Sequence, residues 1–384
     1  MNGHLRLFCI CYVEIINIYL NNLKIKLLMI FADRNISTKK VLQNYSIYLI
    51  LFPVFLFLAC KEDPTSPNPP PVIIDTVDRY EWSMDTIYGY AFNNLYVADS
   101  SNIFITSPLS LVYYNGETYS SISINDPDFR FVGVKGFDKN NVFAGGNRVN
   151  SSTPVLKKVE NTSVSSYDIT GDTGGTISGI FVEGPNQSWL SISESNTIYF
   201  FNSGLITPYT LDSGVRSGGF FRDSLNILYY IGMKLYPNDN FRFYIYEYIN
   251  DYFNLVNIDS INTISELYGA ITICGSDFIA MGRTSIYYFT NDRLEKLCNT
   301  PNFLPIKICG SSKNHLVCYG QTSDITGAIF TWDGEKWHEE KSQIIPDKFY
   351  YAVRSTMVNG RVNIIISDNF NLGRSYHLKG VPKK

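Results

Sequence analysis

The stretch Phe330-Thr331-Trp332-Asp333-Gly334-Glu335-Lys336-Trp337 has the form of two strands joined by a tight turn, with aromatic residues on both sides of Asp-Gly. Asp-Gly between apolar runs is a strong hairpin signal, because both residues tolerate the left-handed backbone conformation of such turns. A second copy lies at Tyr113-Tyr114-Asn115-Gly116-Glu117-Thr118-Tyr119. Together the two copies indicate a repeated β-hairpin.

Weaker copies of this hairpin have an asparagine turn that mostly follows an apolar or aromatic stretch. They lie near Asn161, Asn202, Asn250 and Asn291. From Asn115 to Asp333 the six turns span 218 residues in five steps, which average about 44 residues. A repeat of this length is typical of a β-propeller blade.

A second pattern precedes several of these turns and consists of a strand, a polar turn and a very apolar strand. It occurs at residues 95–105, 132–144, 180–192 and 306–318. Each period therefore contains two hairpins, or four strands, which is the content of one blade. Residues 77–384 number 308, so a period of about 44 residues predicts seven blades.

The last repeat, residues 352–378, has only three strands. The stretch Tyr80–Ile87 looks like the strands that begin at Tyr119 and Trp337 after their turns. We therefore expect an all-β, seven-bladed β-propeller whose last blade is completed by the N-terminal strand, so that no sheet edge stays open at the seam. Two separate β-sandwiches are the alternative, but they explain neither the period nor the missing strand.

The body resembles the secreted bacterial β-propeller lipoproteins whose blades carry a Trp-Asp-Gly-x-x-Trp-type hairpin. The resemblance covers the body, residues 77–384, and only Trp332 to Trp337 matches the hairpin well. It implies a lipid-anchored, secreted propeller. Some proteins of this kind carry transferase names, but no residues in this chain support that activity.

The N-terminal segment has the features of a lipoprotein signal peptide. Ile47 to Ala59 is an apolar run of the length of a signal-peptide core, and Lys39 and Lys40 precede it. Leu58-Ala59-Cys60 looks like a lipobox, so we expect cleavage before Cys60 and lipid on that cysteine. An ordinary signal peptide with a chance cysteine is the alternative.

The segments on either side complete the predicted organisation. Residues 1–28 do not fit a lipoprotein leader, so we interpret them as an over-called start with Met29 as the better initiator; a short additional apolar anchor is the alternative. Lys61-Glu62-Asp63 resembles the export signal of some Gram-negative lipoproteins that reach the outer face of the outer membrane. Asp63–Pro71 contains five prolines and predicts a stiff linker. The predicted domains are a signal peptide at 29–59, a lipidated cysteine and linker at 60–76, and a propeller at 77–384.

Composition limits the classes of function. Aromatic residues at 15% and charged residues at 17% favour strands with polar, uncharged turns over surface helices. A net charge of −3 without a basic stripe argues against a nucleic-acid partner. The body has no C-x-x-C pair, which argues against a zinc site. Its cysteines are interpreted as buried free thiols, with a Cys309–Cys318 disulfide as the alternative; they are Cys274, Cys298, Cys309 and Cys318.

No catalytic motif is recognisable, so we expect neither an enzyme nor a cofactor. The three body histidines are far apart in sequence and are expected on strands or blade surfaces rather than around a metal; they are His315, His338 and His377. Asn125–Asp128 and Asn238–Asn240 offer oxygens to calcium but lack the spacing of a calcium loop, so solvated turns are the preferred interpretation. A carboxylate pair for glycoside hydrolysis depends on a separation in space, and this question stays open.

The loops between second and third strands vary most in length, at 147–152, 233–242, 321–326 and 368–374. In a propeller they emerge on one face together with the blade-to-blade connections, and binding commonly resides in loops on a rigid scaffold. The best mix of aromatic and polar groups is Lys234, Tyr236, Asp239, Phe241 and Arg242. The alternative is that these loops differ in length without forming a binding site.

The sequence therefore predicts a monomeric lipoprotein of the outer membrane, exposed at the cell surface, that acts as a non-enzymatic binding or scaffold module for a protein or a glycan. One alternative is a carbohydrate-active propeller enzyme or a glycan-binding protein. Another is a subunit of an envelope assembly that faces the periplasm.

Overall fold

In the part of the chain that the structure describes, the fold is built from strands. The computed structural model describes residues 75–161, 163–171, 174–212, 214–235, 241–259, 267–274, 277–282, 284–324, 326–340, 351–367 and 374–383. These residues form 29 strands in seven sheets. They contain no helix long and apolar enough to cross a membrane.

The strands follow one another in groups of four. Two strands precede the first group, β1 (Asp75–Val77) and β2 (Tyr80–Tyr88). Blade 1 contains β3 (Asn94–Asp99), β4 (Asn102–Ser107), β5 (Ser110–Tyr114) and β6 (Tyr119–Ile122). Blade 2 contains β7 (Phe129–Asp138), β8 (Asn141–Arg148), β9 (Pro154–Glu160) and β10 (Ser163–Asp168). Blade 3 contains β11 (Ile177–Gly184), β12 (Gln187–Ile192), β13 (Thr197–Asn202) and β14 (Leu205–Thr210).

The remaining blades repeat the pattern. Blade 4 contains β15 (Arg216–Arg222), β16 (Leu228–Leu235), β17 (Phe241–Ile249) and β18 (Tyr252–Asp259). Blade 5 contains β19 (Leu267–Cys274), β20 (Asp277–Gly282), β21 (Ser285–Thr290) and β22 (Arg293–Asn299). Blade 6 contains β23 (Phe303–Ser312), β24 (His315–Thr322), β25 (Gly327–Trp332) and β26 (Trp337–Glu340). Blade 7 contains β27 (Tyr351–Val358), β28 (Arg361–Ser367) and β29 (Arg374–Pro382), with β2 as its fourth strand.

The sheets form a seven-bladed propeller, which confirms the fold predicted from the period. In each blade the first strand along the chain is the innermost. These inner strands contact one another in sequence from β27 through β3, β7 and β11 to β15, and from β19 through β23 to β27. The next three strands extend outward in antiparallel order.

The ring closes where the N-terminal strand joins the last blade, as predicted. β2 pairs antiparallel with β29 over nine residue pairs, from Tyr80 opposite Pro382 to Tyr88 opposite Arg374. The edge of β29 is therefore paired along its whole length. Because an unpaired edge exposes backbone N–H and C=O groups, this ladder removes an edge that the three-stranded sheet would otherwise present.

The hairpin turns explain why Asn, Asp and Gly mark the repeat. The side-chain oxygen Oδ1 of Asn115 accepts hydrogen bonds from the backbone N–H groups of Glu117 and Thr118 at 3.0 and 2.8 Å. In the same way, Oδ1 of Asp333 accepts hydrogen bonds from the backbone N–H groups of Glu335 and Lys336 at 3.0 and 2.9 Å. Gly116 and Gly334 follow with φ values of 97° and 99°, a region that favours glycine.

One strand was not predicted. β1 pairs in parallel with β26, with Asp75 opposite His338, and so adds a fifth strand to the outer edge of blade 6. Its three residues are too few to show a periodic pattern. Next to it, the Arg79 guanidinium lies 3.2 Å from Asp333 Oδ2 and the Arg79 backbone N–H donates to Glu340 Oε2 at 3.1 Å. The N-terminal segment thus contacts blade 6 before it completes blade 7.

The hydrophobic core is divided among seven clusters, most of which lie between adjacent blades.

The structure excludes the alternative of a Cys309–Cys318 disulfide. Cys309 lies opposite Val317 and Cys318 opposite Ile308, so the two thiols occupy adjacent register positions and point to opposite faces of the sheet. Cys309 packs in the cluster shared with blade 7, and Cys318 packs in the cluster shared with blade 5. All four body cysteines are free thiols.

A polar cluster spans the seam between blade 7 and blade 1. The Tyr119 hydroxyl of β6 donates to Asp85 Oδ2 of β2 at 2.7 Å and lies 2.9 Å from His377 Nδ1 of β29. The Lys379 ammonium of β29 donates to the same Asp85 oxygen at 2.8 Å. Although burial raises the pKa of Asp85, the hydrogen bonds from Lys379 and Tyr119 outweigh it and hold that pKa below its usual value.

His377 is fully buried in this cluster and lies 2.9 Å from Asn363 Oδ1 through its Nε2. Burial, together with the positive charge of Lys379, lowers the pKa of His377 from 6.5 to about 3. The imidazole is therefore neutral in the folded protein at pH 5 to 7. The unfolded chain takes up a proton on this residue near pH 6.5, so acid favours the unfolded state.

We predict that the free energy of unfolding falls as the pH is lowered from 7 to 5, and that His377→Gln flattens this fall by up to about 1.4 kcal/mol per pH unit. Urea denaturation at each pH measures the effect. Between pH 7.5 and 8.5 the two curves should run parallel, since the histidine is neutral in both states there. Parallel curves from pH 7 to 5 would contradict the assignment of His377.

Candidate binding face

The antiparallel order of the blades separates two faces. On one, the loop face, second strands end and third strands begin; the connections there that are described throughout are 108–109, 149–153 and 193–196. On the other, the turn face, first strands end and second strands begin; the connections there that are described throughout are 100–101, 139–140, 185–186, 223–227, 313–314 and 359–360. The turns between third and fourth strands lie on the turn face as well.

The lengths of the connections on the loop face follow the sequence prediction. The four predicted long loops have five residues at 149–153, five at 236–240, four at 323–326 and six at 368–373. The connection 193–196 also has four residues, and the other two have two each. The loop face therefore varies from blade to blade, while the strands that hold the loops repeat.

The predicted binding residues lie on the long hairpin of blade 4. β16 and β17 bring Lys234 directly opposite Arg242, and Leu235 opposite Phe241. Arg242 is exposed, and Lys234 is half-buried with its Nζ 5.9 Å from the centre of the Tyr244 ring. Tyr236, Asp239 and the side chain of Phe241 lie outside the described residues.

This hairpin therefore presents two cations next to each other at the end of two paired strands. Opposed residues of an antiparallel pair have their Cβ atoms about 5 Å apart. Two positive charges at this spacing attract a carboxylate or another anionic group, and a guanidinium can hold a carboxylate through two hydrogen bonds. The described part of the hairpin is thus positively charged.

Two cations of blade 2 on the same face form ion pairs. Lys157, which is buried, donates to Asp126 Oδ2 at 2.6 Å, and Arg148 Nη1 lies 2.5 Å from Asp168 Oδ2. The ammonium of Lys157 holds the pKa of Asp126 below its usual range. Asp126, one of the residues considered for calcium, thus serves as the partner of a buried lysine. The other candidate calcium segment, Asn238–Asn240, lies outside the described residues.

Three residues on the inner strands escaped the sequence analysis: Lys135 on β7, Lys307 on β23 and Arg354 on β27. Each is a cation in an otherwise largely apolar strand. A charged residue in such a strand is a signal that sequence analysis could use, because an inner strand lies away from the solvent at the outer surface and a charge there is unusual. It was missed because inner and outer positions look alike until the strands are placed in the ring.

No protein-family model matches the sequence, and no curated protein matches it significantly. Solved β-propellers do match its fold. A structure of YCF48 bound to D1 peptide has a TM-score of 0.62 at 13% identity and covers 81% of this chain and 100% of its own. The β-propeller domain of Cps50 (Swd1) from Myceliophteria thermophila has a TM-score of 0.57 at 8% identity and covers 78% of this chain and 99% of its own.

A third similar structure is the extracellular domain of a putative one-component system from B. thetaiotaomicron. It has a TM-score of 0.51 at 11% identity, and the match covers 78% of this chain but 40% of that domain. At these identities the likeness shows the β-propeller fold alone.

Proposed function

We propose that this chain is a lipoprotein, anchored to the outer membrane through Cys60, that acts at the cell surface as a non-enzymatic binding module. The loop face is its contact surface, and the partner is a protein with an acidic patch. The observation that carries the proposal is that the connections between second and third strands, which belong to one face of a closed ring, vary in length from two to six residues. Loops on a rigid scaffold are a common place for binding residues.

The position of the N-terminal segment supports this use of the loop face. β1 runs parallel to β26, which leads from the turn at 333–336 on the turn face toward the loop face. The chain therefore enters the ring at Asp75 on the turn-face side of blade 6. We therefore propose that the loop face, rather than the face at which the described chain begins, contacts the partner.

The structural neighbours are compatible with a module of this kind. One of them is described as bound to a peptide and another as an extracellular domain. The predicted signal peptide, Cys60 and the proline-rich linker lie outside the described residues, so the anchor rests on the sequence pattern.

Protease treatment of intact cells tests the location. We expect the full chain to be degraded without lysis, because a lipid anchor with a stiff spacer leaves the body accessible at the surface. A periplasmic protein of known location serves as the control and should survive. Protection of the body until the cells are lysed would contradict surface exposure and favour the envelope-assembly alternative.

Charge reversal on the blade 4 hairpin tests the contact surface. In the full chain on cells, Lys234→Glu with Arg242→Glu should weaken cross-linking to the captured partner about tenfold or more, since acidic groups would then be repelled. Lys139→Glu with Arg361→Glu is the matched control, because both residues are exposed on the turn face. Equal losses in the two double variants, or no loss in the first, would contradict the loop face as the binding surface.

A further inference from the structure

The inner strands contain a position that can be compared across all seven blades. In each blade the fifth residue of the second strand pairs with one residue of the inner strand. These inner residues are Asn94, Gly133, Gly179, Gly218, Ala270, Lys307 and Arg354. Four of the seven are glycine or alanine, and the two long cations lie in adjacent blades, 6 and 7.

At two of the glycine positions a side chain would not fit. A Cβ atom at Gly179 would lie 2.3 Å from Ser191 Oγ, and one at Gly218 would lie 2.3 Å from the Ile231 carbonyl oxygen. A register shift precedes six of the seven positions, and at Pro305/Lys307 and Ala352/Arg354 the residue that follows it is a cation. Such a bulge re-aims the side chain that follows it.

Lys135 supplies a third cation from the opposite part of the ring. It pairs with Phe143, the third residue of β8, and so lies two residues nearer the turn face, about 7 Å along the strand. Its side chain is exposed although it belongs to an innermost strand. An exposed side chain at this place faces the central channel that the inner strands surround.

Lys307 and Arg354 lie close together, because β23 and β27 are neighbours in the ring and the two residues occupy equivalent register positions. Desolvation by the surrounding strands and the charge of Arg354 lower the pKa of Lys135 to about 8, and the same two causes lower the pKa of Lys307 to about 8. Burial also lowers the pKa of Arg354. These pKa shifts agree with a position of the three side chains on the channel that blades 2, 6 and 7 share.

None of the three has an acidic partner among the described residues. No carboxylate contributes to the pKa of Lys135, Lys307 or Arg354, and none of them has an ion pair or hydrogen bond within the described ranges. Other partly buried cations of this chain do have partners, as Lys157 has Asp126 and Lys379 has Asp85. Holding like charges close together without a counter-charge costs stability, so the cluster needs another reason to persist.

We infer that the central channel contains an oxyanion-binding site formed by Lys135, Lys307 and Arg354. Its ligand is a small molecule, or a group on one, that carries at least two negative charges on phosphate or carboxylate oxygens. Arg354 offers paired donors in a planar fork, and the two lysines act as flexible point charges around it. The site is distinct from the loop face and does not depend on the function proposed for it.

Calorimetric titration of the full chain with inorganic phosphate and, separately, with citrate tests the site. At low ionic strength and pH 7, we expect saturable binding of at least one of the two anions at one site per chain. Lys307→Met with Arg354→Met should weaken this binding about tenfold or more, because two charge-assisted contacts are lost. Tighter binding of phosphate would identify a phosphorylated ligand, and tighter binding of citrate a polycarboxylate.

The matched control removes the same charge elsewhere. Lys139→Met with Arg361→Met takes two cations from the turn face and should leave anion binding unchanged. Without anions, the channel variant should unfold at the same or a higher temperature than the native chain, because like charges have been removed. If it does not fold, Lys135→Met carries the same expectations. The inference is overturned if chloride at equal ionic strength matches both anions, or if the channel variants bind them as tightly as the native chain.

Discussion

The pairing of β2 with β29 is the constraint on which the rest of the structure depends. The blades of this propeller are apolar on both faces, so each needs a neighbour on each side. β2 contributes to both interfaces of blade 7, with Ile87 in the cluster shared with blade 1 and Trp82 in the cluster shared with blade 6. Without this strand, blade 7 would lose its outer packing and present the free edge of β29.

The polar cluster at the seam makes this closure specific. Asp85 belongs to β2, His377 to β29 and Tyr119 to blade 1, so one set of hydrogen bonds ties the two ends of the ring to the blade beside them. Hydrophobic contact alone tolerates small shifts of register. The seam cluster does not tolerate them. A shift would leave the buried, neutral histidine and the carboxylate without the hydroxyl partner that they share.

The sequence predicted the elements that repeat. The spacing of Asn and Asp-Gly turns indicated the blade period, and the likeness of Tyr80–Ile87 to the strands after Trp337 and Tyr119 predicted the closing strand. β1 was missed because three residues have no measurable periodicity. The disulfide alternative was wrong because Cys309 and Cys318 lie on opposite faces of the sheet. The sequence alone does not show the strand register that decides this.

The candidate binding residues were less accessible to sequence analysis. Lys234 and Arg242 were predicted from the length of their hairpin, and that prediction is untested. Lys307 and Arg354 were missed because their significance lies in the ring position that they share with glycines such as Gly179 and Gly218. Only the strand register shows that they are equivalent, and only the closed ring brings them toward Lys135.

The ring separates two kinds of surface. The backbone of each inner strand is held by hydrogen bonds to the second strand of its blade. Charges on such a strand have a fixed geometry, which suits the binding of a small anion. Loops that project from the ring adapt more easily, which suits a protein partner. Both surfaces depend on the ring staying closed while either one is occupied.

Native-state hydrogen exchange of the full chain tests the closure most directly. If β2 and β29 form the seam of a cooperative ring, their amides should exchange only through the opening that also releases the amides of β28, with the same free energy of opening. Exchange of the β2 amides at the rate of a frayed terminus, while β28 stays protected, would contradict the account.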